Sequence, residues 1–167
     1  MTISRGRTRR AASVGYLTLA AVIVAACSSA KPPAPAPTEQ SSLIQPDCYT
    51  VDPYTKIRIA APSTQVPQAM RAFSGVWGGG AWDGRVCHDL YVMQIEPSGT
   101  VVMFDAHGPG FFADATAFTR KGVIGEDGRL RVRKGRAEVE YWIENGRLYG
   151  TRRIGNRVNR IIMTRKS

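Results

Sequence analysis

The chain has 167 residues, with 23 Lys and Arg against 13 Asp and Glu and a formal net charge of +10 at pH 7. That length suits one compact domain with a tether, and 17 glycines without a long helical pattern in the second half point away from a helical bundle and toward β structure with tight turns. Charge is unevenly placed: residues 27–119 carry five Lys/Arg and eight Asp/Glu, whereas residues 120–167 carry fourteen and five, an asymmetry that speaks to partners and not to fold.

At the start of the chain, Arg5, Arg7, Arg9 and Arg10 form a positive stretch, and the sixteen residues from 11 to 26 carry no charge. This run is shorter than the roughly 20 residues a membrane-spanning helix needs, so an uncleaved membrane helix is the lesser alternative. It closes on Val24-Ala25-Ala26-Cys27. The pattern of an aliphatic residue, two small residues and a cysteine resembles the lipobox of bacterial lipoprotein precursors. The resemblance implies that residues 1–26 are a cleaved signal peptide and that Cys27 becomes a lipid-modified N-terminus anchored in a membrane of the cell envelope. Ser28 stands where an aspartate in similar lipoproteins favours the inner membrane, which leans the expectation toward the outer one. Nucleic acid is then not an expected partner, and the anions within reach are lipid headgroups and acidic envelope polymers.

Residues 28–46 are rich in Ser, Ala, Pro, Gln and Thr, including Lys31-Pro32-Pro33-Ala34-Pro35-Ala36-Pro37. Such a segment has little apolar area to bury, and residues 27–46 read as an extended linker behind the lipidated cysteine. Residues 47–65 form an N-terminal arm, with a short strand expected over 54–60. Cys48 and Cys87 are an even pair in an exported, oxidising setting, which predicts a disulfide; two free thiols are the alternative. Pro67 is placed as a first-turn helix proline, with a short helix over 68–73. The domain proper is expected over 66–167.

From Phe73 onward the chain reads as consecutive strands. A strand around Val76 and Trp77 ends in Gly78-Gly79-Gly80 or continues to Trp82, and Asp83-Gly84 turns it. Over 86–95, His88, Leu90, Val92 and Gln94 alternate with Cys87, Asp89, Tyr91, Met93 and Ile95. Strands over 100–105, within 111–122, over 129–133, 136–143, 147–153 and 157–164 follow, separated by turn signals of which Asn145-Gly146 is the strongest. The expectation is all-β: a small antiparallel up-and-down barrel of about eight strands, closed because closure removes exposed edges.

Gly75-x-Trp77 at the opening of the first strand resembles the lipocalin or calycin signature. That resemblance implies a tryptophan plugging the closed barrel end with an arginine near the last strand packed over it, Arg160 or Arg165 here. The same stretch, with Cys87 ten residues on, is also similar to the envelope metalloprotease inhibitors of bacteria. In that family the second cysteine lies downstream, whereas Cys48 lies upstream.

Catalytic chemistry is sparse. There is no Gly-x-Ser-x-Gly elbow and no phosphate loop, and Cys87 and His88 face opposite ways on a strand. Asp105 and His107 share a strand face, too few ligands for a metal, and read as a loop-end hydrogen bond. No metal, cofactor or catalytic residue is expected. The reading is a non-enzymatic binding module taking a small apolar ligand, if the barrel is hollow, or an anionic envelope component. In the second case Arg129, Arg131, Arg133, Arg152, Arg153, Arg157 and Arg160 supply a cationic face. An envelope-anchored protease inhibitor is the alternative.

Overall fold

The computed structural model describes residues 43–45, 48–50, 56–110 and 114–166. The expected signal peptide, Cys27 and most of the linker lie outside the described residues. The order of elements is α1 (Gln68–Arg71), β1 (Gly75–Trp82), β2 (Val86–Ile95), β3 (Thr100–His107), β4 (Thr116–Ile124), β5 (Leu130–Lys134), β6 (Ala137–Glu144), β7 (Arg147–Ile154) and β8 (Arg157–Lys166). Each strand pairs antiparallel with the next, and β1 pairs with β8, closing an eight-stranded up-and-down barrel. Among the described residues no helix is long and apolar enough to cross a membrane.

Turn chemistry sets the hairpins. Asp83, Gly84, Gly99, Gly128, Gly135, Asn145, Gly146 and Gly155 all take positive φ, where glycine and asparagine are least strained. The period-two pattern then sorts side chains to inside and outside. Leu90, Val101, Met103, Leu130, Val139, Tyr141, Leu148, Ile161 and Met163 are buried in the interior cluster. Each such side chain contributes on the order of 1.5–3 kcal/mol.

Two strands depart from simple alternation. β1 carries a bulge between Trp77 and Gly80, so it continues through the glycine run and turns both Trp77 and Trp82 into the core cluster. β2 has a register shift between Val92 and Gln94, which puts Ile95 in the core in place of Gln94, reversing the expected facing of those two residues.

One end of the barrel is closed. Val66 and Phe73, on either side of α1, are buried against Trp77, and Met70 packs beside them. The helix is shorter than expected, closing with the Arg71 N–H on the Pro67 carbonyl and the Ala72 N–H on the Gln68 carbonyl before the chain enters β1. The Trp77 indole N–H donates to the Phe73 carbonyl at 2.8 Å. Arg165 lies 4.3 Å from the Trp77 ring and donates to the Ser74 and Ala72 carbonyls at 2.5 and 2.6 Å. Arg165, not Arg160, therefore covers the tryptophan. Gly75 has φ +118°, and a Cβ there would stand 2.5 Å from the Arg165 guanidinium, so the glycine leaves room for that side chain.

The N-terminal arm docks on the outside of the barrel. Ile44 bridges to Gly80, the Gln45 N–H donates to the Gly79 carbonyl at 2.8 Å, and Leu43 is buried with Tyr149 and Ile162. Residues 43–45, expected in the linker, thus lie against the wall. A disulfide joins Cys48 to Cys87 with Cα atoms 5.4 Å apart. Of the strand expected over 54–60, residues 54–55 lie outside the described residues and 56–60 form no strand, though the Ala60 N–H donates to the Met93 carbonyl.

Candidate functional site

The interior changes character toward the end away from Trp77. Here every strand turns a polar or polar-tipped side chain inward: Trp82, His88, Asp105, Arg120, Lys134, Tyr141, Arg152 and Asn159, from β1 to β8 in order, with His107 a second from β3. They meet because strand tilt brings equivalent inward positions of distant strands to one level. Asp105, His88 and Tyr141 are fully buried there.

Asp105 is the hub. One carboxylate oxygen accepts from the Lys134 ammonium at 2.6 Å, and the other accepts from Arg120 Nε at 2.8 Å. The His107 and His88 imidazoles each approach it at 3.4 Å. Burial alone pushes this carboxyl up, but the His107 hydrogen bond and the Lys134 charge outweigh it and hold it well below the usual carboxylate range. The expected loop-end contact of Asp105 with His107 is therefore part of an interior network and not a feature of the loop.

A directional chain runs from Lys134. Its ammonium also lies 3.4 Å from the Tyr141 hydroxyl, which sits 3.0 Å from His88 Nε2, while His88 Nδ1 lies 3.1 Å from the Ala106 carbonyl. A carbonyl only accepts, so Nδ1 carries the proton and Nε2 accepts from Tyr141. Burial first, and then the Lys134 charge, hold His88 well below its ordinary value of 6.5, so the imidazole is neutral. Burial, then Asp105, raises the Tyr141 phenol. Burial, against the pull of Asp105, lowers Lys134 to about 8, and the nearby Arg120 and Arg152 add to that lowering.

Around Asp105 there are more cations than it can balance. Lys134 and Arg120 share it. Among the described residues Arg152 donates to the Asn159 side-chain oxygen, at 3.2 and 3.3 Å, and it covers the Trp82 ring at 5.1 Å. Above the network lies an open cavity of about 410 Å³ whose walls include His107, Arg120, Lys134, Arg152, Asp114, Phe118 and Ile154. His88, Asp105 and His107 place ligand-type atoms within 4.8 Å of one another, but Lys134 and Arg120 already occupy the carboxylate. That donor set, ringed by cations, is poorly suited to a dication.

The arginines expected to form one face divide between the two sides of the wall. Arg152 points inward. Arg131, Arg133 and Arg153 line an outer groove of about 500 Å³ together with Glu138 and Glu140. Arg129 pairs with Glu140 at 2.7 Å over the Trp142 ring, and Arg131 pairs with Glu140 and Asp127. Arg157 is exposed opposite Ile154 at the rim, and the Arg160 backbone N–H donates to Asp83 at 2.8 Å. On the outer stripe Arg129 and Arg131 interleave with Asp127 and Glu140, and inside the barrel Arg152 stands beside the Asp105 network. Cys48 and Cys87 meet on the outer wall, Gly75 and Trp77 at the closed end, and Cys27 lies outside the described residues.

Arg120, Lys134 and Tyr141 were not singled out from sequence. Lys134 and Tyr141 do fall in phase with the inward Val132 and Val139, and a charged or hydroxyl-bearing residue on an inward position was the available signal. No family model matches the chain, and no curated protein and no solved structure match it either.

Proposed function

We propose that this chain is a lipid-anchored protein of the bacterial cell envelope that acts as a non-enzymatic binding module, receiving its ligand at the barrel mouth. One observation carries the reading: the half of the barrel around Trp77 is filled by side chains, while the opposite end opens as a cavity above a buried polar network. Small-ligand sites are concave, with apolar walls and a few convergent polar groups, and this cavity has both. The ligand reaches the mouth only, because the deeper interior is packed. Support for a non-enzymatic role comes from the network itself. Both His88 nitrogens are engaged, and both Asp105 oxygens are taken by cations, so neither is poised to move a proton to or from a substrate. The anchor rests on Val24-Ala25-Ala26-Cys27, and the disulfide is consistent with an oxidising compartment.

The test has two arms. Bacteria expressing the full chain with radiolabelled palmitate should label the wild type and not Cys27→Ser. The purified chain should bind an amphiphilic fluorescent probe saturably, and Thr116→Trp, which fills the mouth, should abolish it. Unlabelled wild type removes the anchor, and probe binding insensitive to the filled mouth removes the site.

A further inference from the structure

We infer that the barrel mouth binds the carboxylate or phosphate head group of an anionic amphiphile, held by Arg120, Lys134 and Arg152 with its apolar part against Phe118 and Ile154. This rests on the reading of the mouth as a ligand site and names the chemistry it takes.

The charge balance comes first. Three cations from β4, β5 and β7 face one cavity, and a single buried carboxylate, Asp105, answers two of them. Among the described residues Arg152 has no carboxylate partner, only the neutral amide of Asn159. Asp114 also borders the cavity, but it is exposed and makes no ion pair with any of the three. Buried or half-buried cations are costly unless paired, so an anion entering from solvent completes a set that the fold leaves positive. Arginine's planar fork and lysine's point charge are the groups that recognise carboxylate and phosphate.

The apolar half of the site is independent of charge. Phe118 and Ile154, 49% and 43% exposed, are two of the four large apolar side chains left exposed among the described residues, and both border this cavity. Val86 and Ala137 extend the same wall. A free inorganic anion has no use for this surface, whereas an alkyl chain attached to the anion covers it.

The test is calorimetric titration of the full chain, held in a neutral maltoside detergent, with octyl phosphate, inorganic phosphate and octanol. Octyl phosphate is expected to bind one per chain, more weakly as sodium chloride is raised, and to shift the Lys134 Nζ resonance. Arg152→Gln and Lys134→Met are each expected to weaken it by roughly 10- to 100-fold, as removal of a charge-assisted hydrogen bond does. Arg152→Gln keeps the test decisive if Lys134→Met fails to fold, since Arg152 is half-buried and leaves no buried charge unpaired. Inorganic phosphate binding as tightly as octyl phosphate would uphold the anion site and overturn its apolar half. Octanol binding equally well and indifferently to Arg152→Gln would overturn the anion inference while leaving the mouth a ligand site. No binding by any of the three would overturn both.

Discussion

Asp105 and His88 show how two ionisable groups come to rest inside a small barrel. The carboxylate keeps its charge because Lys134 and Arg120 replace the water it loses, and the imidazole stays neutral because burial, and then the Lys134 charge, disfavour a second proton. Both shifts have consequences for stability. Below the ordinary histidine value of 6.5 the unfolded chain takes up a proton at His88 that the folded barrel refuses, so stability falls as pH falls. Asp105, depressed in the fold, adds a second loss as pH drops through and below 3.8, where the unfolded carboxyl protonates first. Urea midpoints are expected to decline from pH 7 to pH 5, and His88→Gln is expected to flatten that slope while leaving the acid loss below pH 4. An unchanged slope in the variant would assign the decline to other groups.

At the scale of elements, the closed end and the arm are held by different means. The Arg165 guanidinium joins the last strand to the turn before the first by two hydrogen bonds and stacks on the Trp77 ring, all at the rim where water screens charge. Arg165→Met, which keeps most of the stem and removes the charge, is expected to cost about 1–2 kcal/mol by chemical denaturation. The arm depends on a covalent tie. Cys48 and Cys87 are 39 residues apart, and closing a loop of that length stabilises by roughly 3–4 kcal/mol on the chain-entropy account. Adding reductant is expected to lower the denaturation midpoint accordingly and to expose Leu43 and Ile162, the apolar pair that the arm buries. A midpoint indifferent to reductant would show that the arm contributes little to the fold.

For the whole barrel, closure is uneven. β3 pairs with β4 along eight residues, whereas β4 pairs with β5 only through Val123 with Arg131 and Ile124 with Leu130. Between Thr116 and Lys121 the strand's second edge has no ladder partner among the described residues, at the same end as the mouth. Backbone amides in 116–121 that face β5 are therefore expected to exchange with deuterium at least about tenfold faster than those facing β3. Equal protection on both edges would mean that the seam is closed in solution.

What the sequence determined by itself is what depends on neighbours along the chain. Alternation of apolar residues with period two, Asp83-Gly84 and Asn145-Gly146 at turns, and the even pair Cys48 and Cys87 are local or compositional signals. They sufficed for eight strands, a meander, and a disulfide. The bulges at Trp77/Gly80 and Val92/Gln94 escaped because an inserted residue changes facing without changing composition. Which inward residues share a level was decided only by the closed barrel. His88 meets Tyr141 across 53 positions, and Asp105 meets Lys134 across 29. Those meetings follow from tilt and register summed over several strands, and no stretch of sequence short enough to read as a motif contains them.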